Sequence, residues 1–189
     1  MVEVEFKFCV ESILTVRTEI LKLGATESLV CEEWDEYFNH PLHDFVEKDL
    51  ALRIRKVAGS SWLTFKGPNR DGEAKIREEI EISLDASEEN DDADKMRRIW
   101  LACGFVSAAT VEKRRVKYDL VWQHTKIQIC LDSVTGLGDF VELEVVVEDE
   151  PGLIMAAKGQ LAELAERLEL RNSTTKSYLA MLAEVKQQP

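Results

Sequence analysis

The amino-terminal seven residues alternate strictly between apolar and charged side chains. Val2, Val4 and Phe6 are interleaved with charged residues of both signs. Because successive side chains of a strand point to opposite faces, this pattern predicts a β-strand with one apolar and one charged face. Similar alternation marks several later segments. We predict further strands at Ser28–Phe38, Leu50–Val57, Trp62–Lys66, Ala74–Leu84, Ala108–Leu120, Lys126–Asp132 and Asp139–Val147.

Other segments carry apolar residues at helical spacing and are predicted as helices. They are Val10–Leu23, Ser87–Cys103, Ile154–Leu168 and Asn172–Val185. Ser87 has the side-chain chemistry of an N-cap, and acidic residues follow in the first turns, where they suit the helix dipole. Strands and helices together predict an α+β fold. No linker divides residues 1–189, so we expect a single domain.

The charged face recurs in strand after strand, and this repetition predicts a closed or nearly closed barrel. On any one strand, alternating charge is most simply a solvated face. When many strands share the pattern, a barrel that is apolar outside, beneath covering helices, and polar inside explains it better. The interior would then be a tunnel lined by charged side chains.

The predicted inner faces carry both signs of charge. Their acidic residues are Glu3, Glu5, Glu79, Glu81, Asp132, Glu142 and Glu144. Their basic residues are Lys7, Arg53, Arg55, Lys66, Arg77, Lys113 and Arg115. Enclosed charges need a counter-charge, water, a metal or a ligand. Arg and Lys suit phosphate oxygens, and carboxylates on neighbouring strands suit Mg²⁺ or Mn²⁺, so the inventory fits a metal–triphosphate complex.

Composition narrows the classes of partner. The chain has 189 residues and a formal net charge of −12, so we expect no nucleic-acid partner, which would need a basic surface. No apolar run approaches the roughly 18 residues of a membrane span, and no signal-peptide pattern opens the chain. The four cysteines are scattered without a C-x-x-C pair, which is typical of reduced thiols in a cytoplasmic protein.

A series of short motifs extends along nearly the whole chain. It begins with Glu3-Val4-Glu5-Phe6-Lys7. It continues with Leu52-Arg53-Ile54-Arg55, Thr64-Phe65-Lys66-Gly67-Pro68, Arg77-Glu78-Glu79-Ile80-Glu81, Thr110–Arg115, Leu131-Asp132, Gly136–Glu144 and Ser177-Tyr178-Leu179. The first motif resembles the E-x-E-x-K signature of the CYTH superfamily, also called triphosphate tunnel metalloenzymes. Thr110–Arg115 and Leu131–Glu142 look most like class IV adenylyl cyclases and their archaeal and bacterial relatives.

The resemblance implies an eight-stranded antiparallel β-barrel that forms a tunnel, flanked by helices. The ligand would be a nucleoside triphosphate or another inorganic or organic triphosphate, with Mg²⁺ or Mn²⁺. The implied metal ligands are Glu3, Glu5 and Glu142, with Glu144 as a fourth. The predicted triphosphate-binding residues are Lys7, Arg53, Arg55, Lys66, Arg77, Lys113, Arg115 and Lys176. Asp132 and Lys113 are the predicted catalytic residues, with Glu79 and Glu81 as supporting acids.

These residues leave more than one function open. A metal-dependent adenylyl cyclase of class IV type would convert ATP to cyclic AMP and pyrophosphate. A hydrolase would use the same residues to cleave tripolyphosphate, thiamine triphosphate or a nucleoside triphosphate. A non-catalytic polyphosphate-binding module is disfavoured, because binding alone would not require the full metal-binding set. A homodimer through a barrel edge or a helix is compatible with the sequence, which does not decide it.

Overall fold

One antiparallel sheet contains nearly all the strands of the protein. The computed structural model describes residues 1–84, 86–87 and 90–187. The strands are β1 Val2–Val10, β2 Thr26–Asn39, β3 Ala51–Val57, β4 Ser60–Lys66, β5 Lys75–Arg77, β6 Glu79–Leu84, β7 Ala86–Ser87, β8 Asn90–Asp91, β9 Val106–Trp122, β10 Thr125–Val134 and β11 Gly138–Val147. The helices are α1 Ile13–Lys22, α2 Asp92–Ala102, α3 Pro151–Arg167 and α4 Tyr178–Gln187. Within the described residues, strands β7 and β8 pair with each other and not with the large sheet.

The second helix begins later than the sequence pattern indicated. Asp91 caps α2, because its side chain accepts a hydrogen bond from the backbone N–H of Asp94 at 3.0 Å. The start predicted at Ser87 is therefore wrong, and Ser87 belongs to β7. Residues 88 and 89 of the predicted helix lie outside the described residues. Ser, Asp and Asn all have side chains that can cap a helix, so several residues of this run could equally well precede its first turn. The sequence pattern therefore did not determine where α2 begins.

The sheet closes on itself through one interrupted strand. Its order is β5-β1-β11-β10-β9-β2-β3-β4-β6, and its two outermost members are consecutive in the chain. The sequence predicted one strand over Ala74–Leu84, but a break at Glu78 divides it. The Glu78 carbonyl there accepts a hydrogen bond from the Gly67 N–H at 2.9 Å. The predicted α+β barrel is confirmed, and this division gives the sheet nine strands instead of eight.

The main apolar core lies outside the barrel wall, between the strands and helices α1 and α3. Val4, Ile129 and Leu143 on the wall are fully buried, as are Leu161 and Leu164 on α3. Burying one such side chain contributes roughly 1.5–3 kcal/mol, so this outer layer fixes the helices to the barrel. The interior is correspondingly left to the charged residues, as the alternating pattern predicted.

Helix α4 covers one end of the barrel. The sequence predicted a helix over Asn172–Val185, whereas α4 begins only at Tyr178. The chain before it runs along β1, where the Thr174 N–H donates to the Lys7 carbonyl at 2.9 Å. The buried residues that cluster with Tyr178 at this end are Tyr37, Val111, Val134 and Phe140. They come from four different strands, so the helix seals the barrel end with an apolar layer.

Candidate active site

The interior of the barrel is a cavity of about 420 Å³ with a largely charged wall. Alternation along each strand places every second side chain inside, as with Glu3, Glu5 and Lys7 on β1. The predicted site residues that line the cavity are Glu3, Glu5, Lys7, Arg53, Arg55, Lys66, Arg77, Glu79, Glu81, Lys113, Arg115, Glu142 and Glu144. The barrel therefore gathers residues that are far apart in the sequence into one chamber.

Two predicted site residues lie away from the cavity lining. Asp132 is fully buried behind it and accepts hydrogen bonds from Arg115 at 2.7 and 2.5 Å and from the Tyr178 hydroxyl at 2.9 Å. Asp132 thus orients two side chains that face the chamber. Lys176 is half-exposed and pairs with Glu184 at 2.7 Å. The structure does not bring Lys176 to the other predicted triphosphate-binding residues.

An acidic cluster lies where β1 and β11 run side by side. Their pairing sets Glu5 opposite Glu144, and Glu3 and Glu142 line the same cavity. Burial and the charge of Glu3 raise the pKa of Glu144 well above its ordinary value, although Arg115 at 4.0 Å offsets part of the effect. A divalent cation would relieve this repulsion, and carboxylates are the donors that Mg²⁺ and Mn²⁺ prefer. The cluster therefore fits the metal that the sequence motifs imply.

Two buried ammonium groups hold the neighbouring carboxylates of this cluster. Lys7 Nζ lies 2.9 Å from Glu142 and 3.3 Å from Glu5, and Lys75 Nζ lies 2.8 Å from the same Glu5 oxygen. Burial lowers the pKa of Lys75 to about 8, although Glu5 opposes the shift. At Lys7 burial is outweighed by Glu142 and Glu5, which raise its pKa. Both ammonium groups line the chamber and could be shared with phosphate oxygens.

A second group of charges surrounds Asp35 on β2, across the barrel from the acidic cluster. Arg55 donates two hydrogen bonds to the Asp35 carboxylate at 2.7 and 2.8 Å. Lys113 and Arg53 approach it at 3.2 and 3.4 Å. Burial at Asp35 is outweighed by Arg53 and Arg55, which hold its pKa well below the ordinary range. One carboxylate therefore fixes three cationic side chains toward the chamber, which preorganises them for an anion.

Two guanidinium groups of the wall keep spare donors. Among the described residues, the Nε atoms of Arg53 and Arg77 are buried without a hydrogen-bond partner. A buried donor left unsatisfied costs about 1–3 kcal/mol, and more when it belongs to a charged group. Both side chains line the cavity, where an anion could accept these hydrogen bonds. This feature favours a phosphate ligand over a neutral one.

Sequence reasoning missed four residues in or directly behind the wall, namely Glu33, Asp35, Lys75 and Tyr178. Lys75 lies two residues before Arg77 on the same strand face, so following the alternation one step further back would have found it. Glu33 and Asp35 were hidden, because β2 carries acids on both faces. The position of Tyr178 depends on how the tail crosses the barrel end, which no local pattern specifies.

Fold and site together define a barrel protein whose charged interior suits a phosphate chain and a divalent metal. A family model described as the CYTH domain matches residues 1–178. The chain therefore belongs to the CYTH domain family of triphosphate tunnel metalloenzymes, as the sequence motifs indicated. Enzymes of this family depend on a metal and act on nucleoside triphosphates or other triphosphates.

Two named relatives align with almost the whole chain. The protein named "Putative adenylate cyclase MJ0240" from Methanocaldococcus jannaschii is 34% identical over 186 residues, which cover 96% of this chain and 98% of that protein. The protein named "Adenylate cyclase CyaB" from Aeromonas hydrophila is 30% identical over 181 residues, which cover 93% of this chain and 86% of that protein.

Solved structures share the fold. The PH1819 protein from Pyrococcus horikoshii OT3 is 32% identical, with a TM-score of 0.84 over 96% of this chain and 98% of that one. The more distant HpAC1 from Hippeastrum is 20% identical, with a TM-score of 0.67 over 99% and 98% of the two chains, and is described with a dominant triphosphatase activity. In the part of the chain that the structure describes, no helix has the length and apolar character to cross a membrane.

Proposed function

We propose that this protein is a metal-dependent adenylyl cyclase of class IV type, which converts ATP to cyclic AMP and pyrophosphate. One observation carries the proposal: cationic side chains fixed around Asp35 face an acidic cluster across the chamber inside the barrel. Such a chamber suits a phosphate chain bound together with a divalent metal. The relatives named adenylate cyclases, at 34% and 30% identity, support the choice of ATP and of cyclisation.

The phosphate chain would lie between the two groups of charges. Arg53, Arg55 and Lys113 offer donors from the side of β3 and β9. Lys7 and Lys66 offer ammonium groups that are now paired with carboxylates. Charge-assisted hydrogen bonds are roughly twice as strong as neutral ones, so phosphate oxygens can compete for these donors. Binding would then exchange ion pairs within the wall for ion pairs with the ligand.

The acidic residues Glu3, Glu5, Glu142 and Glu144 would hold the metal. When bound, a divalent metal would supply positive charge that acidifies the attacking hydroxyl group and draws charge from the phosphates. The protein contributes a chamber whose donors are already oriented, so that little reorganisation accompanies the reaction. Asp132 acts in this scheme as a positioning residue, because it fixes the guanidinium group of Arg115.

The reaction transfers the α-phosphoryl group within one molecule of ATP. The ribose 3′-oxygen forms a bond to the α-phosphorus, and its proton passes to water. The bond from that phosphorus to the bridging oxygen breaks, and pyrophosphate leaves with the electron pair. Negative charge builds up on the leaving pyrophosphate. Arg53, Lys113 and Arg115 therefore stabilise the transition state more than the bound ATP.

A triphosphate hydrolase is the second candidate, favoured by the triphosphatase activity described for the Hippeastrum protein. In that reaction a water molecule would attack the terminal phosphorus, and orthophosphate would be released. Tripolyphosphate, thiamine triphosphate and nucleoside triphosphates would all serve as substrates. The same cationic wall would bind them, because it contacts the phosphates and not the group attached to them.

Product identification tests the proposal. The protein is incubated with ATP, tripolyphosphate or thiamine triphosphate, each with Mg²⁺ and with Mn²⁺. Cyclic AMP and pyrophosphate from ATP support the cyclase, whereas orthophosphate release without cyclic AMP replaces it with the hydrolase. Turnover should be lost in Glu5→Gln and kept in the control Glu73→Gln, since the Glu73 side chain is 84% exposed outside the chamber. Tight tripolyphosphate binding without turnover of any substrate would contradict both reactions.

A further inference from the structure

The uncharged residues of the chamber lining fall into two sets. The set at the end covered by α4 consists of Tyr37, Ala51, Ser177 and Tyr178. The remaining uncharged members of the described lining are Met1, Val2, Gln128 and Val146. Gln128 is the member of this second set that carries a polar side chain, and the others are apolar. The second set is therefore suited to a part of a ligand that is polar but uncharged.

The strand register sets Gln128 away from the end that α4 covers. Val134 on β10 belongs to the apolar layer beneath α4. Gln128 lies six residues before it on the same face of the strand, which is about 20 Å at 3.3–3.4 Å per residue. On the neighbouring strand β11 it pairs with Glu144. Gln128 therefore lies level with Glu144, at the boundary between the acidic cluster and the uncharged end of the chamber.

The side-chain amide of Gln128 has hydrogen-bonding capacity to spare. Its oxygen accepts a weak hydrogen bond from Cys130 Sγ at 4.0 Å. Within the described part of the chain, its NH₂ group has no hydrogen-bond partner. An amide of this kind offers two donors and an acceptor that has two lone pairs. Gln128 can therefore donate to a ligand in the chamber and accept from it at the same time.

We propose that Gln128 binds the base of the nucleotide and selects adenine over guanine. The inference rests on the proposed function in taking ATP as the ligand. Adenine presents a donor, its N6 amino group, beside an acceptor, N7, and a glutamine amide complements both. Guanine presents two acceptors there, O6 and N7, so the amide oxygen of Gln128 would face another acceptor. The apolar side chains of Met1 and Val146 offer surfaces on which the purine ring can pack.

The proposed binding mode leaves the base on the side of Gln128. Phosphates bound to Lys113 and Arg115 would lie deeper in the barrel, and the metal would lie at the acidic cluster. The ribose separates the base from the α-phosphate, so the base would lie beyond the cluster. Along β10, Gln128 is four residues, or about 13 Å, from Asp132, which pairs with Arg115. A nucleotide with its phosphates beside Arg115 would therefore bring its base towards Gln128.

Binding without turnover tests the inference. The full-length protein is titrated calorimetrically with ATP, GTP and tripolyphosphate in the presence of a chelator, where a metal-dependent reaction does not proceed. The wild type should bind ATP about 5–150-fold more tightly than GTP, the range expected of one bidentate pair between an amide and a base. Gln128→Ala should bring these two Kd values together and leave the Kd for tripolyphosphate unchanged. Gln128→Arg should favour GTP, because a guanidinium group complements O6 and N7 of guanine.

Two controls separate base recognition from general effects. Lys117→Ala removes a cation of the lining that pairs with Cys130 in the register of β9 with β10, so it should weaken ATP and GTP by a similar factor. Gln160→Ala on α3, outside the lining, should bind as the wild type does. Equal binding of ATP and GTP by the wild type, or an adenine preference that persists in Gln128→Ala, would overturn the inference. Product identification tests the reaction separately, because the titration measures binding alone.

Discussion

The ammonium group of Lys7 lies 4.0 Å from the centre of the Tyr178 ring, so the first strand is held by a residue near the end of the chain. The hydroxyl group of the same ring donates to Asp132 at 2.9 Å. Phe140 packs against the ring edge-on at 5.0 Å. Tyr178 therefore joins α4 both to a proposed phosphate ligand and to the carboxylate that orients Arg115.

Replacing Tyr178 should separate these two contacts. Tyr178→Phe keeps the ring over Lys7 but removes a hydrogen bond to a charged group, which is worth about 1.5–3 kcal/mol. Tyr178→Leu also removes the ring, which adds about 0.5–2 kcal/mol for the lost cation–π contact. In urea unfolding, the free energy of unfolding should be highest for the wild type, lower for Tyr178→Phe and lowest for Tyr178→Leu. Equal values for the two variants would show that the ring does not stabilise Lys7.

Asp35 should be required for the stability of the cationic wall. Asp35→Asn leaves Arg53, Arg55 and Lys113 without their shared counter-charge, and breaking such a buried pair costs about 3–5 kcal/mol. Tripolyphosphate should restore part of the loss, because a ligand that binds the folded state stabilises it. Thermal unfolding with and without tripolyphosphate measures both effects.

The control for Asp35 is Asp119→Asn, whose carboxylate pairs with the exposed Lys126 at 3.7 Å. A surface pair of this kind is worth at most about 1 kcal/mol. A comparable loss in the two variants would mean that the Asp35 cluster is no more important than a surface ion pair. A failure of tripolyphosphate to stabilise Asp35→Asn would argue against phosphate binding beside this carboxylate.

Acid should destabilise the protein partly through Glu33. Burial raises the pKa of Glu33, but Arg115, Arg55 and Lys113 outweigh it and lower the pKa from 4.5 to about 2. The folded pKa lies below the unfolded one, so this stabilisation is present above pH 4.5 and is lost as the pH falls towards 2. The full contribution is about 3 kcal/mol, since one pKa unit corresponds to 1.36 kcal/mol.

Urea unfolding at pH 6 and pH 3 checks this expectation. Glu33→Gln should lose less stability between the two pH values than the wild type does. Glu32→Gln, on the outer face of the same strand and with a side chain 78% exposed, should behave as the wild type. An unchanged pH dependence in Glu33→Gln would show that other groups account for the acid sensitivity.

Lys66 and Lys176 should differ sharply in their effect on turnover. Lys66 lines the chamber and pairs with Glu79 at 2.7 Å, whereas Lys176 pairs with Glu184 at the surface. Loss of a donor to developing charge costs about 10²–10³-fold in kcat, so Lys66→Ala should be nearly inactive. Lys176→Ala should retain activity. A strong defect in Lys176→Ala would mean that the tail moves its ammonium group into the chamber when the triphosphate binds.

Leu161 should be essential to the layer between α3 and the barrel. Its side chain is fully buried, and truncation of such a leucine to alanine costs about 2–5 kcal/mol. Leu14→Ala on α1, where the side chain is 74% exposed, should change the free energy of unfolding by no more than about 0.5 kcal/mol. Chemical unfolding of the two variants gives the comparison, and similar values would place the main core elsewhere.

The alternating pattern predicted the chamber well. Successive side chains of a strand point to opposite faces, so the apolar residues that form the outer core alternate with the charged residues that form the inner wall. Lys7, Arg53 and Glu142 face inward for this reason alone. The pattern could not predict whether an inward-facing side chain reaches the cavity surface or lies buried behind it. Asp132 has the parity of a lumen residue, yet the side chains of Arg115 and Tyr178 cover it.

The position of Lys176 and the break at Glu78 depend on tertiary structure. The tail carries Lys176 past the barrel end, so its ammonium group pairs with Glu184 on the next turns of chain. The break at Glu78 occurs because the two parts of the predicted strand pair with different neighbours: β5 pairs with β1, and β6 pairs with β4. Neither outcome is encoded in the residues nearby, since both follow from how distant strands meet.

Because α4 covers one end of the barrel, we expect ligands to reach the described part of the chamber from the other end, where Met1 and Gln128 belong to its lining. In the proposed reaction the phosphates lie deep and the nucleoside lies towards the opening. We then expect the cyclic nucleotide to leave first and pyrophosphate second. Pyrophosphate would be the last product on the enzyme and would compete with incoming ATP, so its removal in the surrounding solution would govern the rate of turnover.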